Sequence, residues 1–204
     1  MIHVYGTSHV SEESLELVEE KIEQIDPEVV ALELDYSRLK SMLEDSREAK
    51  GSLFVRFIKN FQEVAGSRTG VMPGDEMLYA YEIAIQEGKD VALIDQDISV
   101  TLEKLKEVRR VEKVRAAVQV VIGMIYPGRM DLEDIPEDRF IEELLEEFRH
   151  MFPDLHRVLI EDRNRHMVEA LKQLGEENDG DIVAFVGAGH KNAIREGLRR
   201  EIDS

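Results

Sequence analysis

Two short segments near opposite ends of the chain share one pattern: Val4-Tyr5-Gly6-Thr7-Ser8-His9 and Phe185-Val186-Gly187-Ala188-Gly189-His190. Each is an apolar run, a glycine, two small residues and a histidine, and each leads into a segment of helical period. Small residues at a strand-to-helix turn let a substrate or an ion approach the backbone, and the helix that follows offers unpaired N–H groups. A carboxylate stands in a comparable place, because Glu33 interrupts Val29-Val30-Ala31-Leu32 and Leu34. Burying an ionised carboxylate is costly unless a cation, a metal or several donors meet it, so Glu33 asks for a partner. Asp95 and Asp97 follow Leu93-Ile94, and Glu76 opens the segment after Pro73-Gly74. His9, His190, Glu33, Asp95 and Glu76 together offer either a nitrogen–oxygen site for Zn, Mn, Co or Fe, or an acid–base pair without metal. The sharpest version is two histidines and one carboxylate: His9, His190 and Glu33.

Polar residues on a buried stripe also need partners. Between Asp154 and Leu174, Ile160, Met167, Leu171 and Leu174 define an inward stripe, with Asn164 in it and Arg163 on its edge. Arg163 presents a fixed fork suited to Glu33 or to a substrate anion. Plainer readings stand beside these. A lone GxxH is usually a turn glycine with a surface histidine, Glu33 and Arg163 form structural ion pairs elsewhere, Asp95 and Asp97 suit a cap or turn, and Glu76 suits a first helical turn. His3 reads as a strand side chain, and His150, His156 and His166 as helix-surface residues.

The elements that must position these groups follow an α/β pattern. Ile2–Tyr5, Val29–Leu34, Val91–Ile94 and Ile182–Val186 are short, β-branched and nearly continuous in apolar character, as buried strands of a mostly parallel sheet are. The intervening segments are helical in period. Leu15, Val18, Ile22 and Ile25 form one face of a helix with Ser11 as N-cap, stopped by Asp26 and Pro27; a second runs from Asp75 until Gly88 ends it. Tyr36 to Lys50, an amphipathic stretch from Gly51 to Ala65 and a turn-rich loop at Gly66 to Gly74 lie between. Residues 98–152 read as a helical insertion or cap within a single domain over 1–204. The two histidines converge only if the first and last strands are close in the sheet.

Composition narrows the function classes. The 204 residues carry 26 Lys and Arg against 44 Asp and Glu, a formal charge of −18. Such a charge repels phosphate backbones and anionic lipid heads, and nucleic acid is not an expected partner. The chain has no cysteine, which removes thiol nucleophiles and thiolate zinc sites. The longest apolar run, Ala116 to Tyr126, is broken by Gln119 and is shorter than the roughly 20 residues that a membrane span needs. The expected setting is the cytoplasm, or a soluble domain of a membrane-anchored protein. Flanked by Arg109, Arg110 and Arg115, the Ala116 run is either a core helix or a subunit contact, and a homodimer follows if its side chains face solvent.

Six pieces, in order, resemble the TraB/PrgY family, which is related to the TIKI proteins and more distantly to GumN-like proteins. They are Gly6-Thr7-Ser8-His9 with Ser11-Glu12-Glu13-Ser14, Val29 to Leu34, Pro73-Gly74-Asp75-Glu76-Met77, Leu93-Ile94-Asp95, Asp162-Arg163-Asn164-Arg165-His166-Met167 and Val186-Gly187-Ala188-Gly189-His190. The resemblance implies a fold like that of erythromycin esterase and the haem-binding protein ChaN, with the paired GxxH turns at the active site. Because TIKI proteins are metal-dependent proteases, it implies His9, Glu33 and His190 as ligands of a divalent metal or catalytic groups, with Arg163 and Asn164 in support. Gly6, Gly187, Asn164, Glu76 and Asp95 are then expected on the substrate side. The function expected is a metal-dependent hydrolase acting on peptides or another small substrate. The alternative is a non-catalytic module that binds a peptide, as in pheromone shutdown, or a cofactor; no sequence feature specific to haem is present. The chain departs from the family at Asp162, where Glu is common, and at Gln96, where a basic residue is common. Many members carry membrane-spanning segments beyond the second GxxH region.

Overall fold

The computed structural model describes residues 1–7, 12–45, 75–125 and 137–200. His9, Ser11, the Gly51 to Gly74 segments and the breaks at Pro127-Gly128 and Pro136 lie outside those residues. In chain order the elements are β1 (Ile2–Thr7), α1 (Glu12–Ile25), β2 (Val29–Leu32), α2 (Tyr36–Asp45), α3 (Asp75–Gln86), β3 (Asp90–Leu93) and α4 (Ile98–Glu107). They continue with α5 (Arg110–Ile125), α6 (Glu137–Met151), α7 (Pro153–His156), a π-helical stretch over Arg157–Glu161, α8 (Asp162–Glu177), β4 (Ile182–Gly187) and α9 (Ala188–Arg199).

The four strands form one parallel sheet in the order β1-β4-β2-β3. Alternate side chains leave a strand on opposite faces, and here both faces are covered, which is why the strands read as continuous apolar runs. On one face Val18 and Ile22 of α1, Leu39 of α2 and Met77, Ala80 and Ala84 of α3 meet Val30, Leu32, Val183 and Phe185. On the other, Met167, Val168 and Leu171 of α8 and Ile194 of α9 meet Val29, Ala31, Ile182, Ala184 and Val186. All six β4 residues are buried, as befits the strand between β1 and β2.

Helix ends follow local chemistry. After α1, Asp26 turns the chain at a positive φ of 49° and Pro27 cannot continue the helix. Gly88 does the same after α3 at φ 68°, a conformation that glycine adopts without strain. Asp97 caps α4 by accepting the Ser99 N–H at 2.7 Å. At the sheet edge, Arg195 of α9 donates from Nε at 3.1 Å and Nη2 at 2.5 Å to the Val4 carbonyl and so ties α9 to β1.

Two expectations for the Asp154–Leu174 helix need correction. The π-helical stretch widens one turn and shifts the inward stripe, so that Val158 is fully buried while Ile160 is only partly so. His156, expected on the helix surface, is buried. It lies where α7 enters the widened turn, its ring centroid 5.8 Å from that of Phe148, which packs against a satellite cluster of Val108, Phe152, Leu155 and Val158.

Candidate functional site

The pairing of β1 with β4 answers the geometric question posed by the two GxxH turns. Gly6 lies opposite Val186 and Thr7 opposite Gly187, so the two strands that carry the GxxH glycines end side by side at the carboxyl edge of the sheet. Gly6 is needed for close packing: a Cβ there would stand 2.9 Å from Lys191 Cδ and 3.3 Å from the Ala188 backbone at the start of α9. Thr7, which sequence reasoning passed over, is buried and its hydroxyl donates to the Val186 carbonyl at 3.4 Å.

Glu33 follows β2 directly, and its N–H still donates to the Phe185 carbonyl at 3.1 Å. Strand alternation from Val29 and Ala31 sends its side chain to the face covered by α8 and α9, where it is 5% exposed. Oε2 accepts the Gly187 N–H at 2.6 Å, and Oε1 accepts from Arg163 Nη2 at 2.5 Å. The second GxxH glycine thus contributes a backbone donor to the carboxylate of β2, an arrangement that a glycine at the turn makes sterically easy.

Arg163, in the first turn of α8, is the centre of the cluster. Nε donates to Asp95 Oδ1 at 2.9 Å and Nη2 to Asp95 Oδ2 at 2.7 Å, a bidentate fork. Nη1 donates to the Leu159 carbonyl in the π-helical turn and faces His190 Nε2, each at 3.4 Å. All five guanidinium N–H directions therefore have an acceptor. Burial works against its charge, but hydrogen bonds to Asp95 and the charges of Glu33 and Asp95 prevail and raise its pKa above the ordinary arginine value. Arg163 is a permanent cation.

His190, in the first turn of α9, places Nδ1 2.6 Å from Asn164 Oδ1 and Nε2 3.4 Å from Glu33 Oε1. Because the amide oxygen is an acceptor, the contact puts the ring proton on Nδ1 and leaves Nε2 as the basic nitrogen. Asp95 is held further by the Gln96 N–H at 2.8 Å and by Arg38 Nη1 at 3.4 Å. Glu76 is buried in the first turn of α3, the helix packed on the opposite sheet face from α8.

Of the residues that the sequence singled out, the structure thus brings Glu33, Asp95, Arg163, Asn164, Gly187 and His190 together. Gly6 lies on the adjacent strand, and His9 is outside the described residues. Arg38 and Lys104 belong to the surroundings of the cluster and were not anticipated, since a helix-surface arginine or lysine carries no distinguishing sequence signal; Gln96, noted in the sequence only as a departure from the family pattern, lies beside Asp95.

The donor chemistry bears on a metal. Among the described residues no group of three or more His, Asp or Glu side chains is arranged to hold an ion. Arg163 donates from Nη2 to Glu33 Oε1 at 2.5 Å and faces His190 Nε2 from Nη1 at 3.4 Å, so a cation held by the same two atoms would meet its charge.

A parallel sheet covered on both faces, with a buried ionic cluster gathered at its carboxyl edge, is the architecture of α/β proteins that bind ligands beyond the strand ends. This chain belongs to the TraB/PrgY/gumN family, whose profile matches residues 1–200. It is 32% identical to an uncharacterized protein of Methanocaldococcus jannaschii over 98% of this chain and 53% of that protein. TraB domain-containing proteins of Bos taurus and Homo sapiens are each 23% identical over 99% of the chain, which covers 63% and 64% of their lengths. The chain therefore spans between half and two thirds of these relatives.

Proposed function

We propose that the chain is a hydrolase of carbonyl substrates, peptides foremost, with its active site at the Glu33–Arg163–His190 cluster. The observation that supports this reading is the convergence of a buried acid from the end of β2, a buried base from the start of α9 and a fixed cation from the first turn of α8. A core gains nothing in packing from such groups, and their desolvation is offset only because each is paired.

In this reading, water displaces the long 3.4 Å contact of Arg163 Nη1 from His190 Nε2, which then accepts a proton from the water as its oxygen attacks the carbonyl carbon. Asn164 keeps the other ring nitrogen protonated, and Glu33, 3.4 Å away, stabilises the imidazolium that forms. The imidazolium then returns the proton to the leaving amine, which restores the base. Arg163 touches no substrate in this scheme, because its donors are committed; it holds Glu33 and His190 in register. A divalent ion, Zn, Mn, Co or Fe, enters the proposal only through His9 as a third ligand and a displaced Arg163; when bound it would polarise the carbonyl and acidify water.

One observation favours a second reading, a non-catalytic module that holds a peptide or a cofactor. The Glu33–Arg163–Asp95 network is internally satisfied, as structural networks are. Cleavage of a mixed fluorogenic peptide library by the wild type, lost by 100-fold or more in His190→Ala and Glu33→Gln, is expected for the hydrolase, on the order of a typical general-base contribution. Peptide retention without cleavage, weakened in both variants, would transfer the site to the binding module.

A further inference from the structure

The groups that hold Arg163 extend one layer outward, to α4. Lys104 on that helix sends Nζ to Gln96 Oε1 at 3.2 Å and to Asp162 Oδ2 at 2.9 Å. Gln96 directly follows Asp95, gives its backbone N–H to Asp95 Oδ1 at 2.8 Å, and donates its side-chain amide to Thr101 Oγ1, also at 2.8 Å. Asp162 directly precedes Arg163 and begins α8. A single ammonium thus joins the residue after one member of the Arg163–Asp95 pair to the residue before the other.

Burial makes the bridge consequential. The Asp162 side chain is 9% exposed and Gln96 7%, so neither can exchange Lys104 for water without loss. Arg165 approaches Asp162 at 3.8 Å but is 69% exposed, a geometry that contributes little. A neutral Gln and an Asp leave room for one cation, and α4 supplies it.

We propose that Lys104 is a positioning residue for the site, which sets the separation between the end of β3 and the start of α8 and thereby the bidentate contact of Arg163 with Asp95. Lys104 touches neither Glu33 nor His190 and acts through Gln96 and Asp162. The inference concerns the geometry of the cluster and holds whether the site hydrolyses or only binds.

Solvent exchange of the Arg163 Nε–H, followed by nitrogen-edited NMR on the full chain, tests it; Arg163→Lys identifies the signal by its disappearance. Lys104→Met is expected to speed this exchange by about tenfold or more while backbone amides of β2 and β4 stay within about twofold, the pattern of a local opening. Gln96→Arg added to Lys104→Met is expected to restore slow exchange, because it places a cation beside Asp162 again. Asp162→Asn is expected to reproduce the selective loss, and it decides the matter if Lys104→Met does not fold. Unchanged Nε–H exchange would overturn the proposal, as would a rise shared by β2 and β4, or a loss that Gln96→Arg does not repair.

Discussion

Arg163 grips both oxygens of Asp95, from Nε at 2.9 Å and Nη2 at 2.7 Å, and turns the same Nη2 toward Glu33 at 2.5 Å. One planar cation therefore serves two buried carboxylates on neighbouring strands, which its fork geometry allows and an ammonium's does not.

Loss of that cation should be severe. Arg163→Ala is expected to cost about 3–5 kcal/mol in urea unfolding, because it strands Glu33 and Asp95 without their partner. Arg163→Lys should cost less but still more than 1 kcal/mol or so, since the charge stays while the bidentate contact is lost. A cost within experimental error for Arg163→Ala would mean that the cluster is solvated and not a buried unit.

Metal content separates the two chemical versions of the site. The metal form expects near-stoichiometric Zn, Mn, Co or Fe on purified protein and its loss in His9→Ala combined with His190→Ala. Arg163→Ala should then raise affinity, because it removes a cation that donates to Glu33 and faces His190. A chain that binds none of these ions, with or without Arg163, would end the metal form and leave the acid–base one.

The face of α5 turned from the core carries Val111, Val114 and Val118, exposed by 72%, 62% and 50%. Arg110, Lys113 and Arg115 lie in its first half, whereas no charged residue occurs from Ala116 to Ile125. An antiparallel pair of α5 helices would lay each charged half along an uncharged one and close with two-fold symmetry, so we propose a homodimer here. Size-exclusion with light scattering should give twice the chain mass, reverting to a monomer in Val114→Lys. A monomeric wild type at working concentration would remove the dimer.

Acid sensitivity has one readable contribution at the α5–α7 junction. Arg109 Nε donates to Asp154 Oδ2 at 2.7 Å, and this bond holds the Asp154 carboxyl below its usual range. A carboxyl whose pKa is lower in the folded state stabilises the fold above its unfolded value, and that contribution is lost as pH falls through the folded value. Asp154→Asn should therefore lower Tm slightly at neutral pH and not at all at about pH 2. An equal Tm difference at both pH values would assign the effect to shape and not to charge.

Much of the fold was legible because burial on both sheet faces leaves an unmistakable trace. The four apolar runs became the four strands, with β1 reaching Thr7 and β2 ending at Leu32. Helix stops at Asp26 and Gly88 were equally readable, since proline and a left-handed glycine act locally. The site was legible in its members and not in its wiring. Glu33 announced a need for a partner, and Arg163 proved to meet it; that Asp95 takes the larger share of the guanidinium depends on strand order, which local sequence does not encode. The shifted stripe at Val158 stems from the π-helical turn, which follows no propensity visible in the residues themselves, and His156 is buried against Phe148 of α6, a contact between helices that local period does not reveal.

The placement of β4 has a consequence in time. Among the described residues β1 is hydrogen-bonded to β4 and to no other strand, and β4 separates β1 from β2. During synthesis the first strand must wait, without a mate in the sheet, until residues about 180 positions later have been made. The Glu33–Gly187 contact and the His190 ring arrive in that same last step, so a nascent chain lacks the site until the sheet is complete. Early products of interrupted translation would then be inert as well as unfolded, and the most exposed intermediate would be one with an unfilled slot between its first two strands, where any other extended segment competes with β4 for the same edges.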